Sequence, residues 1–254
     1  MRPDVTRLNN FYYQTELGKF VNEILLSETK EIWPDKVSGS VVGYGFALPL
    51  LGQFLSEGTR VINLMPETLT YQKWPEGNPN TTVHTLESNW PLPTASIERA
   101  ILLHGLEFCE NESSMLSESW RVLVPEGVML IIVPNKSGVW SLNSSTPYGW
   151  GRGYSYGQIE KMLSRHKLQL ERHSMALMAP PSHDGSLGMM AKTIEKTGKK
   201  LHQKVVGGVH LIVARKRIFL SQNHGIGETV KSGLELLKGA KNPTPKPVTG
   251  MSKP

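Results

Sequence analysis

Residues 118–135 read ESWRVLVPEGVMLIIVPN, and this stretch decides the fold. Val128 to Val133 is continuously apolar, with Gly127 before it and Pro134 after it. Such a run fits a strand buried on both faces, as in a parallel sheet covered by helices. The residues leading into it, Ser113 to Leu123, carry apolar side chains at helical spacing. A helix followed by a buried strand is one half of a repeating α/β unit.

The same alternation continues outward in both directions. Arg99 to His104 is a third apolar strand, Arg60 to Met65 a second closed by Pro66, and Asn80 to Leu86 a weaker candidate rich in Thr, Val and His. Earlier, Ser40 to Leu51 is an apolar run interrupted by glycines. It predicts a buried strand, a tight glycine turn and the start of a helix, with Pro49 tolerable in that helix's first turn. Phe11, Leu17, Phe20, Val21, Ile24, Leu25 and Ile32 predict one amphipathic helix from Phe11 to Trp33, ended by Pro34. Downstream, a Gly, Ser, Pro and aromatic-rich loop from Asn135 to Tyr156 leads into a helix at Tyr156 to His166. Strands at Gln169 to Met178 and Val209 to Arg217 flank a loop and a helix at Leu187 to Thr197. These elements predict an α/β fold with an open, mostly parallel sheet and helices on both faces. No internal repeat is present.

The 254 residues are 39% hydrophobic and 20% charged, a globular composition. The expected organisation is one domain, residues 1–221, and a basic Pro/Lys-rich tail, 222–254. Within the tail, Thr229 to Leu237 could form a turn or two of helix, and KNPTPKPVTGMSKP at the end is too rich in Pro and Lys to pack. The formal charge is +6. From His224 onward five lysines stand against two glutamates, a net +3. Nucleic acid binding is therefore expected only through the tail. The single cysteine, Cys109, excludes an internal disulfide and a multi-cysteine metal site, and it fits a reducing, cytoplasmic setting. No signal peptide and no apolar run of membrane-spanning length is read.

In open α/β sheets ligands gather beyond the carboxyl ends of the strands. Those positions here are Gly43 to Phe46, Met65 to Glu67, Glu87 to Asn89, His104 to Glu107, and Asn135 onward. Gly43-Tyr44-Gly45 is a G-x-G turn that lets a ligand approach backbone. His104 and Glu107 suit either a general base or a plainer pair, His104 bonding cofactor or backbone and Glu107 capping the turn. Asn135, Lys136, Trp140, Tyr148, Trp150, Arg152 and Tyr154 could hold a planar or anionic substrate, or could pack the loop onto the sheet. The histidines lack metal-ligand spacing, so no metal is expected. There is no G-x-S-x-G, so a hydrolase elbow is absent.

The order of segments resembles the class I S-adenosylmethionine-dependent methyltransferases, in particular the group called methyltransferase type 11. The matching pieces are FYYQTELGKFV (11–21), VVGYGFALPLL (41–51), WPLPTASIERAILLHGLEF (90–108), LSESWRVLVPEGVMLIIVPN (116–135) and SGVWSLNSSTPYGWGRGYSYGQIEKML (137–163). The resemblance implies a Rossmann-like, seven-stranded sheet and S-adenosylmethionine at the strand ends. Gly43, Tyr44 and Gly45 would border its methionine portion, Met65 and Glu67 the ribose, Glu87 and Ser88 the adenine, and His104 the floor. Tyr12 or Tyr13 would close over it. Asn135, Trp140, Tyr148 and Arg152 would meet the substrate, a small molecule or an unidentified macromolecule. Two positions depart from the family. An acidic residue is common at its first glycine motif and another at the end of its second strand. Here the first offers Tyr44, and the second ends in Met65 with Glu67 displaced beyond Pro66. The implied function is methyl transfer; the alternative is a non-catalytic binding or regulatory protein that has lost the acidic ribose ligand.

Overall fold

The computed structural model describes residues 4–33, 39–56, 58–181, 194 and 207–218. Seven strands form one sheet: β1 (Gly39–Gly45), β2 (Thr59–Pro66), β3 (Thr82–Thr85), β4 (Ile97–Leu103), β5 (Leu123–Pro134), β6 (Leu168–Ala176) and β7 (Val209–Lys216). Their order across the sheet is β3-β2-β1-β4-β5-β7-β6. The pairs β1–β2, β1–β4, β2–β3 and β4–β5 are parallel. The pairs β5–β7 and β6–β7 are antiparallel, so the sheet is mixed rather than parallel throughout.

Period-two alternation sends the strand side chains into two cores. Val41, Val61, Met65, Ile101, Leu103, Leu130 and Ile132 face one layer of helices. That layer comprises α1 (Val5–Asn9), α2 (Glu16–Ile32) and the short α3 (Leu48–Leu51), which bury Val5, Leu8, Val21, Leu25, Leu50 and Leu51. Val42, Tyr44, Leu64, Ala100, Leu102, Met129 and Ile131 face the other layer. There α4 (Glu112–Val122) and α5 (Tyr156–Arg165) supply Met115, Leu116, Ile159 and Leu163. Helices cover both faces, as the sequence predicts.

The predicted helix over Phe11 to Trp33 is interrupted. A π-helical turn spans Asn10–Gln14, and Thr15 then takes an extended conformation and caps α2, its side chain accepting from the Gly18 N–H. The cap is local chemistry that hydrophobic spacing does not register. Pro49 lies in the first turn of α3, as expected. The strand predicted from Val128 to Val133 is longer than expected, because Leu123 already pairs with Ile97. The register slips across Val124 to Gly127, where Glu126 has φ 64°, and resumes at Arg99–Val128. Arg121, at the end of α4, pairs with Glu118 at 2.7 Å and donates to the carbonyls of Trp90 (2.9 Å) and Leu92 (2.8 Å). It thereby fastens the connection before β4 to the helix after it.

The predicted tail 222–254, its helix at Thr229 to Leu237, and all of the Leu187 to Thr197 helix except residue 194 lie outside the described residues. Among the described residues no helix is long and apolar enough to cross a membrane, and no group of three or more His, Cys, Asp or Glu could hold a metal ion.

Candidate functional site

The carboxyl ends of β1, β2, β3 and β4 meet along one edge of the sheet. Beyond β2 and β3 lies an open cleft of about 360 Å³, whose lining includes Glu67, Thr68, Thr85, Glu87, Ser88 and Asn111. Glu67 is exposed, and its N–H donates to the Thr85 carbonyl at 3.2 Å, which sets it one residue past Pro66 at the rim. The Glu87 carboxylate accepts from the N–H groups of Glu110 and Asn111, both at 2.8 Å. It is thus held by the chain entering α4 while still lining the cleft.

A narrow crevice with no room for a water molecule continues inward past Pro66, Leu69, Phe108 and Cys109 to His104. At its end the polar side chains bond to one another. The Tyr12 hydroxyl lies 2.7 Å from His104 Nε2 and 2.7 Å from the Tyr148 hydroxyl. His104 Nδ1 lies 2.9 Å from Glu107 Oε1, and the side chains of both are fully buried. Burial raises the Tyr12 phenol far above its usual range, aided by Tyr148 and Glu107, so it remains protonated. Burial raises Tyr148 as well. Glu107 Oε2 is buried with no hydrogen-bond partner among the described residues. His104 itself sits at φ 51°, a left-handed conformation unfavourable for a residue with a Cβ. Phe46 stacks on Tyr12 with ring centroids 5.8 Å apart, and Phe11 meets Tyr12 edge-on at 5.1 Å.

The glycines of the first turn serve this packing. A Cβ on Gly43 would stand 2.6 Å from Leu51 Cδ1 and 2.7 Å from Ala47 Cβ, both on or next to α3. A carboxylate on Gly43 would press into those side chains. Gly45 has φ 88°, and a Cβ there would come within 2.5 Å of the Leu103 carbonyl and 2.7 Å of Gly105. Tyr44 points to the opposite face, stacked on Trp90 at 4.8 Å, and its buried hydroxyl has no hydrogen-bond partner among the described residues.

No family model and no curated sequence matches the chain. Solved structures do match in shape. An S-adenosylmethionine-dependent methyltransferase of Thermotoga maritima, described as a possible histamine N-methyltransferase, aligns at TM-score 0.57 and 13% identity over 84% of this chain and 96% of its own. The complex between the Haloferax volcanii Trm112 methyltransferase activator and its assigned methyltransferase gives TM-score 0.53 at 12% identity, covering 84% and 98% of the two chains. A SAM-dependent methyltransferase of Aquifex aeolicus gives 0.50 at 12% identity over 79% and 98%. The chain has the class I S-adenosylmethionine-dependent methyltransferase fold.

The outer cleft is open and carries the carboxylates of Glu67 and Glu87 beyond β2 and β3. The inner end is filled by the buried side chains of Tyr12, Phe46 and Tyr148.

The structure gathers Tyr12, His104 and Tyr148 into one network, and Glu67, Glu87 and Ser88 around the cleft. Met65 is buried under the sheet and Tyr13 is exposed. Asn135 bonds the Gly207 carbonyl (2.9 Å) and the Ser137 N–H (3.0 Å), and Trp140 donates to the Ala179 carbonyl at 2.8 Å, so both side chains are engaged within the protein. Arg152 pairs with Glu112 at the surface, while its N–H donates to the Glu107 carbonyl at 3.0 Å. Phe46, within the Gly43 to Phe46 stretch expected at the ligand edge, belongs to the site. Phe11 and Phe108 belong to it too, although their apolar character marks them in the sequence only as core; the signal that could have found Phe108 is its place three residues after Gly105, just past β4.

Proposed function

We propose that the chain is an S-adenosylmethionine-dependent methyltransferase that takes the nucleoside end of the cofactor in the cleft between Glu67 and Glu87–Ser88. The observation that carries the reading is that the cleft shares Pro66, Thr68 and Glu87 with the narrow crevice reaching His104, on the edge of the sheet where open α/β folds bind ligands. Glu67, at the end of β2, accepts from the ribose hydroxyls; Ser88 and the loop after β3 border the adenine. The cofactor supplies a methyl group on a positively charged sulfur, an activated leaving group. The chain's own work is to orient an acceptor, exclude water and take up its proton, for which His104 is placed with both ring nitrogens held. Assignment to the type 11 group rests on the segments from Phe11 to Leu163, and a cytoplasmic setting on the single buried thiol, Cys109.

Titration calorimetry of the full chain with S-adenosylhomocysteine tests the reading: saturable one-site binding is expected, and silence at millimolar ligand would sink it. The filled inner end favours a second reading, a non-catalytic protein that holds only the nucleoside. Adenosine separates the two. An enzyme binds S-adenosylhomocysteine far more tightly than adenosine, because the inner half contributes; a nucleoside-only protein binds both alike.

A further inference from the structure

We propose that His173, Met175 and His210 form a copper(I) site on the β6–β7 pair, two imidazoles and a thioether closing on one ion. The site lies at the opposite end of the strand order from the cleft beyond β2 and β3, and it does not depend on the methyltransferase reading.

Strand register brings the three donors together. Met175 on β6 is paired directly with His210 on β7, and His173 with Ile212. Opposed residues of an antiparallel pair share a face, as do residues two apart on one strand, so all three side chains leave the same side of the sheet. On that side Ile212 packs with Ile159 and Leu163 of α5. There His173 Nε2 lies 2.9 Å from His210 Nδ1. Tyr156, the first residue of α5, lays its ring against that of His173 with centroids 4.7 Å apart. Asn135, just past β5, donates to Met175 Sδ at 3.8 Å, which holds the thioether in place while sulfur keeps a second lone pair. His173 and His210 are 37 residues apart, so ligand spacing in the sequence does not show the set.

The histidine pair suits an ion in place of the proton it now shares. Burial and the neighbouring His173 push His210 down to about 4, against the opposing effect of the Tyr154 carbonyl. His210 is therefore neutral at pH 7, the form in which imidazole binds metals. Its Nε2 is buried with no hydrogen-bond partner among the described residues, so no bond there fixes which ring nitrogen carries the proton. Two nitrogens each about 2.0 Å from one ion stand roughly 3.4 Å apart, so the rings need to part by only about 0.5 Å. The donors then select the ion. Among the described residues no Cys, Asp or Glu joins these histidines in a group of three that could hold a metal, so the third donor is the thioether. A thioether is soft and uncharged and suits copper(I). With three neutral donors the charge of the ion stays uncompensated, and a single charge costs far less than a double one in a partly buried site. His173 and Met175 are half-buried, which leaves the ion a way in.

The test titrates copper(I) anaerobically into the full chain against bathocuproine disulfonate, whose coloured copper complex reports what the protein withholds. One copper(I) per chain is expected, with a single sulfur neighbour in the X-ray absorption of the bound metal. Met175→Leu keeps the packing volume and should weaken copper(I) about tenfold and remove that sulfur. His173→Gln should weaken it by at least about a hundredfold, since it deletes a ligand rather than a partner that orients one. Cys109→Ser should leave the affinity unchanged, which separates the site from the chain's one thiol. Circular dichroism checks that each variant folds, and Met175→Leu decides alone if His173→Gln does not fold. The proposal is overturned if the chelator strips all copper from wild type, if Cys109→Ser abolishes binding, or if folded Met175→Leu or His173→Gln holds copper(I) as wild type does. It is overturned equally if zinc(II), titrated in parallel, loses as much affinity as copper(I) in Met175→Leu, because a thioether ligand should matter to the soft ion alone.

Discussion

Along one edge of the sheet, β2 and β3 end in a cleft of about 360 Å³ rimmed by Glu67 and Glu87, whereas β1 and β4 end in side chains shielded from solvent. The four strands lie side by side, and although β3 is shorter and more polar than the others, the residues just past each strand make the difference. Pro66-Glu67 and Glu87-Ser88 turn outward, and their polar groups stay in reach of water. Phe46 to Leu51 continues as an apolar turn and helix that packs back on Gly43, and Leu106 to Phe108 does the same after β4. The outer half is a surface ready for a polar ligand. The inner half holds its chemistry in hydrogen bonds already made, and a ligand there must exchange for them.

Substitutions of decreasing severity probe that contrast. Placing an acid in the first glycine turn, Gly43→Asp, should cost at least about 3 kcal/mol, since it combines overpacking against Leu51 and Ala47 with an unpaired buried charge. Urea unfolding would show it, and a variant as stable as wild type would mean the inner half is not filled. Next, Tyr12→Phe leaves His104 Nε2 and the Tyr148 hydroxyl each short of a buried partner and should cost about 2 kcal/mol by the same measurement. Glu87→Gln keeps one acceptor for the Glu110 and Asn111 amides, so the expected loss is about 1 kcal/mol. Glu67→Gln should change stability by less than about 0.5 kcal/mol, as an exposed substitution does, while weakening S-adenosylhomocysteine about tenfold in calorimetry. A Glu67 variant that binds normally would move the ribose elsewhere.

The central strands are legible because β1, β4, β5 and β7 carry apolar runs between glycines, prolines or polar clusters. Even the side to which Tyr44 points follows from alternation: Gly43 and Gly45 share one face and Tyr44 takes the other. The break at Thr15 was less legible because the apolar residues before and after it keep nearly the same phase. Composition does not carry strand direction, so β7 running against β5 had to come from the structure. The inner network was beyond reach for a different reason. Tyr12 meets His104 across 92 residues and Tyr148 across 136. His104 and Glu107 are visible as a pair three residues apart; their third and fourth partners exist only once the leading helix docks.

Cys109 gives this architecture a built-in clock. It is the chain's sole cysteine, lies in the crevice wall, is 8% exposed and donates to the Leu106 carbonyl. Burial and the nearby Glu87, Glu112 and Glu107 push its thiol up to about 12. Alkylation needs both a thiolate and access, so the closed form is nearly inert, and the rate of modification counts how often the wall parts. Because no second thiol competes, the unaltered protein reports on its own opening, one labelling event per molecule.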